Sequence, residues 1–130
     1  MQKRILVIDD DLSILETMQF MLAAEGHSAT LADKGEYVEN LSKRGRLLPD
    51  LIILDVLLSG KDGRDIARIL KKQPETKNIP VLMFSALPNV KKSVLEAGAD
   101  DFLPKPFEID DLLQAINSLT RTSKKQISNQ

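Results

Sequence analysis

Five side chains that could share one piece of chemistry stand at the ends of short apolar runs. Asp9 and Asp10 follow the run 5–8, Asp55 follows 51–54, Ser85 follows 81–84, and Lys105 comes just after Phe102 and Leu103. If each run is a strand of one sheet, three carboxylates, a hydroxyl and an amine meet at one edge. Like charges at contact distance disfavour joint ionisation unless a cation compensates. Mg²⁺ is the natural candidate, because it takes oxygen ligands in near-octahedral geometry, commonly one or two carboxylates, waters and a phosphate oxygen. A hydroxyl can donate to a phosphoryl oxygen and an ammonium can neutralise one. The set suits a Mg²⁺-dependent phosphoryl acceptor, with fixed charges aimed at the transferring group.

Taken singly, most of these residues have an ordinary explanation. Aspartates after a strand serve as loop or N-cap residues of the next helix, and that is the reading preferred for Asp11. A serine after a strand is usually a turn residue, and a lone lysine is usually solvated. Asp55 is harder to explain away, since an unpaired carboxylate closing a buried run is costly. Lys105 lies between Pro104 and Pro106, which fix its backbone, and a cis Lys105-Pro106 bond would aim its side chain into the site.

The elements that must position these residues alternate along the chain. Strands are expected at 5–8, 28–32, 51–54, 81–84 and 101–103. Helices are expected at about 12–24, 35–43, 64–72, 90–97 and 108–120 from apolar spacing. Gly26 and Gly98 mark helix ends, Gly60 and Gly63 a loop, and Pro49 and Pro80 the approach to strands. The first helix turns Ile14, Leu15, Met18, Met21 and Leu22 inward. The third turns Ile66, Ile69 and Leu70 inward, and the last Ile109, Leu112, Leu113, Ile116 and Leu119. This alternation predicts an α/β fold: a doubly wound, five-stranded parallel sheet of order 2-1-3-4-5 flanked by five helices, flavodoxin-like. Ligands of such sheets sit beyond the carboxyl ends of the strands, where the five residues fall.

Bulk properties exclude several other classes. At 130 residues the chain is expected to form one domain with a real core. The 18 basic and 19 acidic residues nearly cancel, so no nucleic-acid or membrane surface is expected. There is no cysteine, and the single histidine, His27, cannot build a metal site. No signal peptide or membrane span is visible, so the default location is cytoplasmic.

The motifs ILVIDDD, LIILDVLLSGKDG, PVLMFSA and GADDFLPKPF together resemble the receiver domain of bacterial two-component response regulators. The resemblance covers about residues 3–120, giving a domain over 1–120 and a polar tail or linker over 121–130. It implies that Asp55 is the phosphoacceptor, forming an acyl phosphate, and that Asp9 and Asp10 place Mg²⁺, Asp10 more directly. It also implies that the Leu57 backbone carbonyl is a metal ligand. Ser85 is then the switch hydroxyl, Lys105 the lysine that pairs with the phosphoryl group, and Phe102 the aromatic switch position. The phosphoryl donor would be a histidine kinase or a phosphotransfer protein of a phosphorelay, and the output an undetermined effector protein.

Four departures from the family pattern stand out. Ser59 occupies a position that usually carries proline, which suggests a looser loop. Phe102 lacks a hydroxyl. Leu57 and Leu87 flank the phosphoryl site and would hinder an attacking water, implying a comparatively long-lived acyl phosphate. The stretch from Ser85 to Gly98 is about two residues shorter than is common, so the fourth helix should be short. The tail RTSKKQISNQ shows no output-domain pattern and ends without a Pro/Gly linker, which favours a stand-alone receiver over one cut from a longer protein.

Two other functions compete with this reading. A Mg²⁺-dependent phosphohydrolase with an aspartyl nucleophile usually carries a second Asp two residues on, where this chain has Leu57. A nucleotide- or flavin-binding domain would show G-x-G-x-x-G or G-x-x-x-x-G-K-[ST], and neither is present. A receiver-like interaction domain that works without phosphorylation is the remaining alternative. The expectation is therefore a phosphoacceptor module that catalyses only its own phosphotransfer and dephosphorylation.

Overall fold

Runs that are apolar at every position can be buried only where both faces of a sheet are covered. Three such runs, 5–8, 51–54 and 81–84, lie within β1 (Arg4–Ile8), β3 (Leu51–Asp55) and β6 (Val81–Ser85) and form the centre of the sheet. The more mixed strands β2 (Ser28–Ala32) and β7 (Asp101–Pro104) take the edges. In this computed structural model, which describes residues 2–39, 41 and 48–121, the order is β2-β1-β3-β6-β7 and every pairing is parallel. Counted along the chain, the five sheet strands therefore run 2-1-3-4-5, as expected. A second sheet, not foreseen, is a small antiparallel hairpin of β4 (Leu57–Leu58) and β5 (Lys61–Asp62) directly after β3.

The helices are α1 (Leu12–Ala24), α2 (Glu36–Glu39), α3 (Gly63–Lys72), α4 (Lys91–Glu96) and α5 (Ile109–Thr120). Strand alternation divides the core in two. Leu6, Ile8, Ile52, Leu54, Val81 and Met83 pack with Val38, Ile66, Leu70 and Val94. Their neighbours Ile5, Val7, Leu51, Ile53, Leu82 and Phe84 pack on the other face with Leu15, Met18, Leu22, Leu112 and Ile116. So α2, α3 and α4 cover one face, and α1 and α5 the other. Asp11 is the N-cap of α1, accepting from the Ser13 and Ile14 amides, and Asp62 caps α3 in the same way through Arg64. The fourth helix is short, as its shortened surroundings suggested.

Some expectations need correction. Ile69 is 39% exposed, because the buried arc of α3 is centred on Gly63 and Leu70 and leaves it at the edge. Ile109 is 53% exposed in the first turn of α5, where it lines a groove instead of the core. The later part of the expected second helix and the tail 122–130 lie outside the described residues. Among the described residues no helix is long and apolar enough to cross a membrane.

Two glycines shape the turn after Asp55. Gly60 has φ +74°, the sign required at the second central position of a type II turn, with Ser59 at the first. Gly63 is constrained by space: a Cβ there would run into the Asp55 carbonyl oxygen and press on Met83, while its amide donates to Val56 O at 2.6 Å. Gly63→Ala is expected to lower stability by roughly 1–3 kcal/mol through overpacking. Urea unfolding measures this, and an unchanged midpoint would show that the loop yields freely.

Candidate functional site

Register carries Asp9 and Asp55 together. Ile8 pairs with Leu54 across β1 and β3, so the next residue on each chain is an aspartate. Neighbouring strands lie about 4.8 Å apart, which leaves two carboxylates side by side. Asp9 is fully buried and Asp55 nearly so, while Asp10 is exposed. One carboxylate oxygen from each of Asp9, Asp10 and Asp55 lies within 4.8 Å of the other two.

Lys105 enters from one residue past β7, where Pro104 pairs with Ser85. Its amide donates to the Ser85 carbonyl at 2.8 Å, and the Lys105-Pro106 bond is cis. The ammonium lies 2.9 Å from Asp9 Oδ2 and 3.4 Å from Asp55 Oδ2, and 4.5 Å from the centre of the Phe84 ring. Its shorter contact is thus with Asp9, and it bridges the two buried carboxylates. Asp9 Oδ1 accepts from the Asp11 amide at 2.9 Å.

Burial raises the Asp55 carboxyl to about 6 from its ordinary 3.8, and the charge on Asp9 pushes it the same way. Lys105 and the Leu57 backbone amide pull it down without cancelling those effects. Removal from water is the larger cause because a carboxylate in a dry environment loses its hydration, and a neighbouring like charge adds to that cost.

Ser85 is buried, and its hydroxyl oxygen accepts from the Leu87 amide at 3.0 Å. Val81 and Met83 face α3 and α4, so strand alternation puts Ser85 on that side of the sheet too. Phe102 is half-buried and packs on the same core, as does Leu87. Leu57 is 52% exposed at the start of the hairpin. Asp9, Asp10, Asp55, Leu57, Ser85 and Lys105 thus lie at the carboxyl ends of the strands, whereas Phe102 sits inside β7 opposite Met83.

Ser59 is the contact that sequence reasoning missed. The loop expected to be looser is tied down: the Ser59 amide and hydroxyl both donate to Asp10 Oδ2, at 3.0 and 2.8 Å. A hydroxyl on a Gly-containing turn was the available signal, but its partner lies 49 residues away.

The cluster could hold a metal ion. Its donors are all carboxylate oxygens, the chain has no cysteine, and His27 accepts from the Lys3 amide at the opposite end of the sheet. Such a set suits a hard cation over a soft one. An apolar groove of about 440 Å³ opens beside Lys105, lined by Ile14, Met18, Met21 and Phe107 among others, but none of the three carboxylates lines it.

Comparison with known proteins points to the family that the sequence motifs resemble. Residues 5–117 match the model of the response regulator receiver domain. The chain is 39% identical over 123 residues to response regulator MprA of Mycobacterium leprae, covering 93% of this chain and 52% of that protein. It is 38% identical over 128 residues to response regulator MprA of Mycobacterium tuberculosis strain H37Rv, covering 97% and 54%. The chain thus spans about half the length of these relatives. Among solved structures it resembles the Francisella response regulator 1452 receiver domain, with TM-score 0.81, 33% identity and coverage of 93% of this chain and 98% of that one. It also resembles the signal receiver domain of a signal transduction histidine kinase from Syntrophus aciditrophicus, with TM-score 0.83, 32% identity and coverage of 92% and 91%.

The raised Asp55 carboxyl has a consequence for stability. The folded chain keeps this proton up to about pH 6, whereas the unfolded chain releases it near 3.8. Between those values the native state binds more protons, so stability from this group falls as pH rises through the window. Asp55→Asn removes the cost. In metal-free buffer its melting temperature should exceed wild type by several degrees near pH 8, about 1 kcal/mol corresponding to roughly 3–5 °C in a domain of this size. The gap should close towards about pH 4. Circular dichroism melts check it, and a gap independent of pH would contradict the electrostatic origin.

Proposed function

The chain belongs to the response regulator receiver domain family, and on that premise we propose that it is a signalling module switched by phosphorylation of Asp55. The observation that carries this reading is Lys105 bridging Asp9 and Asp55 at the strand ends, with Asp10 close enough to complete a cation site. The donor is a phosphohistidine on a histidine kinase or a phosphotransfer protein. A carboxylate oxygen of Asp55 attacks phosphorus, the P–N bond breaks, and the imidazole leaves with the electron pair. Little acid–base work is needed, so positioning and charge neutralisation dominate.

The site's own residues divide this work. Asp55 must be ionised to attack, and Lys105 opposes the rise in its pKa. The same ammonium can follow the charge onto the phosphoryl group. Ser85 Oγ accepts from Leu87, which leaves its own proton free to donate to a phosphoryl oxygen. Asp9, Asp10, Asp55 and the Leu57 carbonyl would hold the cation, for which Mg²⁺ fits the oxygen-only donor set. When bound, Mg²⁺ supplies further neutralisation of phosphoryl charge.

The placement of Ser85 and Phe102 supports a switch. Ser85 and Phe102 lie on the face covered by α3 and α4. A shift of Ser85 towards a new dianion opens space into which Phe102 can turn, changing the surface around α4 that an effector protein reads. Leu57 and Leu87 offer apolar flanks that place no hydrogen-bonding group near an attacking water, so self-dephosphorylation should be slow.

Incubation with a small-molecule acyl phosphate and Mg²⁺ should give one phosphoryl adduct by intact-mass spectrometry. The adduct should be lost in Asp55→Asn and strongly reduced when the metal is chelated. A folded protein that takes up no phosphoryl group would rule the reading out. Leu57→Asn should speed loss of the adduct several-fold by giving the attacking water a partner; a slower loss would refute the role given to the leucines.

A further inference from the structure

Asp10 differs from its two acidic neighbours in what holds it. Asp9 is buried and fixed by Lys105 and the Asp11 amide, and Asp55 is buried beside the same lysine. Asp10 is exposed, and among the described residues its hydrogen bonds come from Ser59 alone. Both donors of Ser59 converge on one oxygen, Oδ2, at 2.8 Å from the hydroxyl and 3.0 Å from the amide. A carboxylate offers about four lone-pair sites over its two oxygens, so this arrangement leaves Oδ1 free of protein donors.

We propose that Ser59 is a positioning residue for the cation site. It clamps Asp10 through Oδ2 and presents the other oxygen to a divalent cation. This inference rests on the reading that the acidic cluster binds Mg²⁺. An unclamped aspartate at an exposed strand end would sample several rotamers, and binding a cation would have to freeze one of them. Outer-shell hydrogen bonds of this kind orient ligating carboxylates, and their removal typically costs about 10–100-fold in metal affinity.

The clamp also joins two parts of the fold. Ser59 is the first central residue of the β4–β5 turn, so the hairpin that follows Asp55 is fastened to the residue that follows β1. Proline is favoured at this turn position and would keep the backbone shape. It would, however, remove the amide donor and the hydroxyl together. Alanine would remove the hydroxyl alone, and threonine would retain both donors.

The test is calorimetric titration of MgCl₂ into wild type, Asp10→Asn, Ser59→Ala, Ser59→Pro and Ser59→Thr, with thermal melts to establish that each folds. The expected order is wild type and Ser59→Thr alike, Ser59→Ala about tenfold weaker and Ser59→Pro weaker still. Asp10→Asn should lose most of the affinity. If wild type binds, Asp10→Asn fails and Ser59→Ala binds as tightly or more tightly, the clamp is idle or competes with the cation, and the proposal is overturned while the Mg²⁺ reading stands. If wild type does not bind, or Asp10→Asn binds as wild type does, the Mg²⁺ reading fails and takes this inference with it. A Ser59→Thr variant that folds but binds like Ser59→Ala would also overturn it, because the donors would then not be what matters.

Discussion

Parallel strands paired in register force two carboxylates together out of water, and much of the site's construction answers that constraint. Ile8 opposite Leu54 makes Asp9 and Asp55 neighbours, and both are buried. Two like charges in such a place are tolerated only with compensation. Lys105 supplies it by reaching across from the far edge of the sheet, with its backbone anchored to Ser85. The compensation is partial: the Asp55 carboxyl still lies well above its ordinary range. A site left in this condition favours the arrival of further positive charge, which is what a cation-assisted acceptor requires.

Strand alternation turns the residues leading to Asp55 and to Ser85 towards opposite layers of the core. Asp55 follows Leu51 and Ile53, which face α1 and α5, whereas Ser85 follows Val81 and Met83, which face α3 and α4. Because side chains alternate along a strand, residues at nearly the same height of the sheet address opposite layers. Met83 pairs with Phe102, so Ser85 and the aromatic side chain share the α4 side. Ser85 follows Phe84, the register partner of Asp55, and so stands at the same end of the sheet while facing the α3 and α4 layer.

The hairpin after Asp55 closes the site from the remaining side. It is only two residues on each strand, too short for its own stability, and is held by what surrounds it. Gly63 allows the backbone to approach Asp55 closely, and Ser59 ties the turn to Asp10. The segment is held at its turn by Ser59 on Asp10 and at its far end by Gly63 against the Asp55 backbone, so its position and the geometry of the cluster are coupled.

The sheet, its strand order, the helices and the collection of Asp9, Asp10, Asp55, Ser85 and Lys105 at one edge were legible from the sequence. Burial on both faces demands continuous apolar runs, amphipathic helices demand spacing, and parallel topology places strand ends together. The N-cap role of Asp11 was legible for the same local reason. What the sequence left undecided depends on distance and direction in space. Two-residue strands carry no periodic signal, so the hairpin was invisible. The exposure of Ile69 and Ile109 depends on where each helix is centred over the sheet, which spacing alone does not define. Lys105 meets Asp9 across 96 positions and Ser59 meets Asp10 across 49, and no local pattern reports contacts made only when separate strands are brought into register. Residue chemistry and periodicity determined which groups would gather; only the packed fold decided which atom of each faces which, because that depends on the register and approach of elements distant in the chain.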